Sequence, residues 1–315
     1  MAYGEIVQSI DRLTASGVRC TRMPELPDIT IYVEALRRHV VGAEVVDVRL
    51  RSPFLVRTFD PPIDAIAGKT INDIQRIGKR IVLCLDDDLF VVIHLMIAGR
   101  LLWRGVKAKV PAKIGLLALD FEHGTLILTE AGTKKRASIH VERGRKALRS
   151  HDRGGIDVMS ASLDEFAGAL RRENHTIKRA LTDPRLFSGI GNAYSDEILH
   201  AAKLSPMLLT SRLENAQVER LYEAVRKVLT DWTDRLRLQF GERFPDTGEI
   251  TAHRDDFAVH NRFGKPCPVC GASVQRIRYK DRETNYCPTC QTGGKKLSDR
   301  SLARLLKDDW QDSDS

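Results

Sequence analysis

The chain has 315 residues, with 50 Lys and Arg against 42 Asp and Glu, a formal charge of +8 and a pI near 9.2. Its 42% hydrophobic and 29% charged residues fit a soluble globular protein with room for two domains, each with its own core. No apolar run approaches the roughly 20 residues of a membrane span, and residues 1–22 lack the apolar stretch of a signal peptide. The expectation is a cytoplasmic protein with no membrane partner, whose basic balance suits a polyanion.

Residues 1–22 read as a leader ahead of "MPELPD", an opening in its own right at Met23. "DITIYVEALRRHVVG" is a helix candidate closed by Gly42. From Val45 to Thr129 the chain is strand-like. "RIVLCLDDDLFVVIHL" and "IGLLALDFEHGTLILTE" each read as two strands around a turn. Cys84 falls in an apolar run and reads as a buried thiol. Residues 23–140 are therefore expected to form a β-sandwich with one N-terminal helix. "TKKRASIHVERGRKALRSHDRGG" reads as a basic connector.

The period turns helical from Ser162, and residues 155–250 are expected to form a helical domain. "LFSGIGNAYSDEIL" puts Gly189, Gly191 and Asn192 between two helices. The glycines permit a tight turn, and the next helix offers free amides as an anion site. A packing turn explains the same residues equally well. The following long helix is expected to open on a Ser211–Glu214 capping box. Its stripe of Val218, Leu221, Val225, Val228 and Trp232 reads as core.

Residues 258–292 hold "CPVCGASVQRIRYKDRETNYCPTC", with the spacing C-x2-C-x16-C-x2-C. Cys267, Cys270, Cys287 and Cys290 would supply four thiolates to one tetrahedral Zn²⁺ per chain. Four protein ligands leave no open position, so the metal is structural. The segment between the pairs describes a β-hairpin with Arg282 near its tip, suited to phosphate. A short helix and a disordered tail, 306–315, are expected to follow.

"MPELPD", "LFSGIGNAYSDEIL" and "CPVCG…RET…CPTCQ", in that order, resemble the formamidopyrimidine-DNA glycosylase / endonuclease VIII family over about residues 23–295. The resemblance implies an α+β fold: an N-terminal β-sandwich, a helix–two-turn–helix domain and a C-terminal zinc-finger hairpin. It implies a bifunctional DNA glycosylase and abasic-site lyase of base-excision repair, a nucleoid-associated monomer of bacterial type acting on damaged double-stranded DNA. In the family the nucleophile is the α-amine of an N-terminal proline, here Pro24. An internal proline nitrogen is an amide and cannot attack, so the active chain is expected to start at Met23 and lose that methionine. Glu25 matches the general acid/base, and Lys79 a catalytic lysine that contacts phosphate beside the lesion. Asn192 and Arg282 match a phosphate clamp. The rival expectation is a non-catalytic damaged-DNA-binding protein on the same scaffold.

Three departures stand out. Asp28 replaces a glutamate. "HLMIAG" leaves Met96 and Ile97 as candidate wedge residues, with His94 a structural strand residue. No wedge loop like the family's is recognisable where "TEAGTKKRAS" lies.

Overall fold

A turn of three aspartates, Asp86–Asp88, reverses the chain between β3 (Arg80–Leu85) and β4 (Leu89–His94), with Asp87 and Asp88 both at positive φ. A second tight turn at Glu122–His123 joins β6 (Gly115–Phe121) to β7 (Gly124–Glu130). The computed structural model describes residues 23–250, 254–279 and 282–297 of the chain. The expected leader and tail lie outside the described residues, as does the helix expected after the zinc module.

With β1 (Asp47–Leu50), β2 (Ile71–Ile77), β5 (Gly99–Arg104) and β8 (Ser138–Arg143), these hairpins make two four-stranded sheets, ordered β1-β6-β7-β5 and β2-β3-β4-β8. Their facing apolar side chains form one core, which α1 (Leu26–Val40) closes with Ile29, Tyr32, Leu36 and Val40. Helix α1 begins two residues before the predicted run and ends at Val40, just ahead of Gly42 at φ 81°.

The stretch read as a connector is instead partly structural. Strand β8 pairs along all of β4, with Ile139 and Val141 buried between more exposed neighbours. That alternation is a strand signature. It is masked in the sequence by the cations on either side. A short helix, α2 (Arg145–Arg149), follows.

The helical half holds β9 (Ile156–Asp157), α3 (Leu163–Arg171), α4 (Ile177–Thr182), β10 (Phe187–Ser188), α5 (Asn192–Ala201) and α6 (Asn215–Phe240). The capping box of α6 is not the expected one. Ser211 falls in a separate 3-10 turn, Thr210–Arg212, and Glu214 is the N-cap, its amide donating to Gln217 Oε1 at 3.0 Å. The predicted stripe does pack inward, Val228 only partly.

Helix α1 bridges both halves. Leu26 belongs to the helical core, while Ile29 onward belongs to the sandwich core. At the other end of the interface Leu236 and Phe240 of α6 reach into the sandwich, and Arg237 pairs with Glu34 at 2.6 Å. Pro24 and Glu25, just ahead of Leu26, are thereby fixed at the junction of the two cores.

Candidate nucleic-acid site

Pro24 and Glu25 are buried at that junction. The Glu25 carboxylate accepts from the backbone amides of Gly191 (2.7 Å), Ala193 (2.8 Å) and Tyr194 (3.2 Å), at the start of α5. The free amides of a helix N-terminus do form an anion site here, but the anion is the chain's own Glu25 and not an external phosphate. Asn192 does not cap the helix either; its side-chain amide donates to the Glu283 carbonyl at 2.8 Å, on the zinc hairpin.

Gly191 permits this approach. A Cβ at that position would lie 2.4 Å from Glu25 Cδ and 2.4 Å from Lys79 Nζ. Glu25 and Lys79 therefore meet over one glycine, brought together from a helix start and a strand turn. Burial lowers the Lys79 ammonium below the ordinary lysine range; Glu25 and Asp28 oppose this and Lys178 adds to it. An anion beside it would favour the charged form again.

The turn carrying Lys79 is braced from the helical half. Arg76 donates to the Gly78 carbonyl at 3.0 Å and pairs with Asp157 at 2.6 Å. Asp28, one methylene shorter than the glutamate expected there, accepts from the Glu25 amide at 2.9 Å and from Arg254 at 2.5 Å. Arg254 also lies over the Trp232 ring, 5.6 Å from its centroid. Asp28 is fully buried and the Arg254 side chain only 9% exposed, so Arg254→Ala would strand the Asp28 charge. Such a loss is expected to cost about 3–5 kcal/mol, read by urea denaturation. A cost below about 1 kcal/mol would contradict the pairing.

A second buried network joins the helical half to the zinc module, and nothing in the local sequence announced it. Lys178 Nζ donates to the Asn192 carbonyl (2.6 Å), Ser195 Oγ (2.7 Å) and Asp196 Oδ1 (2.6 Å). Asp196 Oδ2 meets His260 Nδ1 at 2.6 Å and accepts from Asn285 at 3.3 Å. Burial pushes the Asp196 carboxyl up, but Lys178 and His260 outweigh it and hold it below its ordinary range. The Glu197 carboxylate accepts from the amides of residues 258–260. These contacts fix Asn192 against the hairpin.

The hairpin itself is β11 (Gln275–Tyr279) and β12 (Arg282–Tyr286), followed by α7 (Pro288–Thr292). Arg282 opens β12 and pairs with Tyr279 at the tip end. The four cysteine sulfurs at its base all lie within 4.8 Å of one another. Cys270 and Cys287 are 3.3 Å apart, and Cys267 and Cys290 4.0 Å. Zinc–sulfur bonds of about 2.3 Å in a tetrahedron put sulfurs roughly 3.8 Å apart, so the cluster fits one Zn²⁺. The module docks on α5 through His200 Nε2, 3.3 Å from Cys267 Sγ, and on the turn after α5 through Gln291, which donates to the Leu204 carbonyl. Cys84 stands apart, buried in the sandwich with its thiol pushed up to about 11 by burial.

Met96 and Ile97 occupy the turn between β4 and β5, both part-exposed, with Met96 at φ 52°. Arg100 braces that turn by donating to the Ile97 and Gly99 carbonyls. His94 ends β4, opposite Arg80 and Ser138. Burial and the nearby Arg80 lower it to about 4, so it is neutral.

The chain matches three family patterns: formamidopyrimidine-DNA glycosylase N-terminal domain over residues 23–149, its H2TH domain over 157–234, and the zinc finger found in FPG and IleRS over 264–293. It is 30% identical to the formamidopyrimidine-DNA glycosylase of Solibacter usitatus, covering 85% of this chain and 99% of the relative. It is 46% identical to a formamidopyrimidine-DNA glycosylase-like protein of Mycobacterium tuberculosis, over 49% of this chain and 94% of that one. Among solved structures it is similar to Lactococcus lactis Fpg in complex with abasic-site DNA, with a TM-score of 0.75 and 25% identity, covering 85% of this chain and 99% of that one. A complex of the same bacterium's wild-type protein with DNA containing an oxidised pyrimidine gives 0.75 and 26%, covering 85% and 100%.

Proposed function

Because this chain belongs to the formamidopyrimidine-DNA glycosylase family, we propose that it excises oxidised bases and nicks the resulting abasic site, with Pro24, Glu25 and Lys79 at the reacting centre. The carrying observation is the convergence of Glu25, Lys79 and the α5 amides beside Pro24, where two cores meet. The damaged nucleotide leaves the stack, at a cost of a few kcal/mol. The Pro24 amine, free once residues 1–23 are absent, gives its lone pair to the sugar C1′. The glycosidic bond breaks, its electron pair leaving with the base, which takes up a proton. Glu25, held rigidly by three amides, assists proton transfer as the C1′–O4′ bond opens and the iminium forms. Loss of a C2′ proton then expels the 3′ phosphate and cuts the strand.

A terminal amine has a reference pKa of about 7.7–8.0, against about 10.4 for lysine, so roughly a tenth is unprotonated at pH 7. The zinc, when bound, supplies only the fixed hairpin that presents Arg282; the cysteines do no chemistry on DNA. All the proposed groups come from one molecule, which supports a monomer as the working unit. A DNA substrate supports a cytoplasmic, nucleoid-associated location.

The test is a gel assay with protein starting at Pro24 and a duplex bearing one oxidised base. A nick without added base or heat supports the reading; intact strands contradict it.

Lys79, Asn192 and Arg282 are proposed to hold phosphates. Arg282→Ala should weaken damaged and undamaged duplex alike and reduce the salt slope of binding by about 1. Unchanged affinity and slope would make the arginine purely structural.

A further inference from the structure

Beyond Lys79, the same end of the sandwich carries a second surface. The β7–β8 loop, residues 131–137, is closed by Glu130, whose buried carboxylate accepts from the Arg136 amide at 2.9 Å and the Ala137 amide at 3.1 Å. Gly132 packs beside Ala98 of the turn that carries Met96 and Ile97. Beside this loop runs the segment after β1. Ser52 donates to the Leu116 carbonyl at 3.1 Å, and Val56 bridges Ile139 in parallel. Phe54 lies two residues before that bridge, and Ala137, the last residue of the loop, lies two residues before its partner.

Phe54 is 82% exposed, on a 3-10 turn (Pro53–Leu55) that Leu55, 2% exposed, anchors in the core. An exposed apolar side chain alone is ordinary. This one sits in segment 51–57, which Arg51 ties to Val110 and Val56 ties to Ile139; that segment and its neighbours 110–114 and 131–137 carry the exposed Arg51, Lys113, Lys134 and Arg136 and contain no Asp or Glu. The loop itself has nothing larger than Ala or Thr besides its cations, so it cannot fill a gap in a base stack. An aromatic face among cations is a nucleic-acid stacking platform.

Its distance from Lys79 sets it away from the bases that flank the lesion on the damaged strand. From β3 the order is β4, β8 and then the Phe54 segment. Three spacings of about 4.8 Å give roughly 14 Å, well beyond one nucleotide step of about 3.4 Å. We propose that Phe54 stacks on the orphan base of the undamaged strand, left unpaired when the lesion flips out, while the surrounding cations hold that strand's phosphates. The inference rests on the glycosylase reading given above.

The test measures binding of the full chain to two duplexes, one with a base opposite an abasic site and one with abasic sites opposite each other. Phe54→Ala should lose roughly tenfold on the first, the weight of one stacked base, and nothing on the second; Phe54→Trp should retain binding. Phe59, 94% exposed but beyond Thr58, which pairs with Val141 away from this rim, is the control. Equal losses on both duplexes, no loss on either, or an equal loss in Phe59→Ala would overturn the proposal. Failure of the wild type to cut DNA would instead count against the catalytic reading, since the stacking is read by binding alone.

Discussion

A chain beginning at Pro24 is expected to be fixed covalently to an abasic-site duplex by borohydride, and a chain with one residue added ahead of Pro24 is expected to give neither adduct nor nick. Reduction makes the imine permanent, so the adduct reports the amine directly. The added residue turns that amine into an amide, whose nitrogen has no usable lone pair. The fold barely changes, because α1 starts only at Leu26 and is anchored by both cores. DNA binding should therefore survive the block. Glu25→Gln separates the two halves of the reaction. Excision of an intact base should fall by at least roughly a hundredfold, within the usual span for a general acid–base group. Trapping on a ready-made abasic site should survive in part, because no base has to be expelled. Equal loss in both assays would remove the proton-transfer role from Glu25 and leave it a helix cap.

Loss of any one cysteine of the cluster is the second large effect expected. Structural zinc in small modules binds with about 10–16 kcal/mol of apparent free energy, and that energy is folding energy. Cys267→Ser, Cys270→Ser, Cys287→Ser or Cys290→Ser should each release the metal and unfold the hairpin. Asn192 would then lose the Glu283 carbonyl that holds its side chain, and Arg282 its rigid base. DNA affinity should fall by roughly tenfold or more, since one charge-assisted contact contributes about 1.5–3 kcal/mol. The sandwich should stay folded, its core being separate from the zinc cluster. Cys84→Ser should keep its zinc. Metal analysis by mass spectrometry checks all five, and zinc loss from Cys84→Ser would contradict the ligand set.

Legibility followed sequence distance. The zinc ligands could be read because their spacing is local and four thiolates admit few other uses. The hairpins around the three aspartates and around Glu122–His123 could be read because turn residues sit between two short, largely apolar, β-rich runs. Strand β8 was lost because its short alternation, Ile139 and Val141, lies inside a run of cations. The junction was beyond reach for a different reason. Glu25 and Gly191 are 166 positions apart, and nothing about a helix N-terminus says whether a phosphate or the chain's own carboxylate will fill it. Lys178, Asp196, His260 and Asn285 form one buried network from four separate elements, each unremarkable alone. Arg254 shares that anonymity: it meets Asp28 across 226 positions.

Two amines compete for the role of nucleophile: the Pro24 nitrogen and Lys79 Nζ, whose ammonium burial lowers toward reactivity. The direct measurement is peptide mapping by mass spectrometry of the borohydride-trapped complex, made with protein starting at Pro24 and an abasic duplex. The reduced sugar remnant is predicted on the α-amine of the peptide that begins at Pro24. A remnant on the peptide containing Lys79, with the Pro24 amine unmodified, would contradict the account.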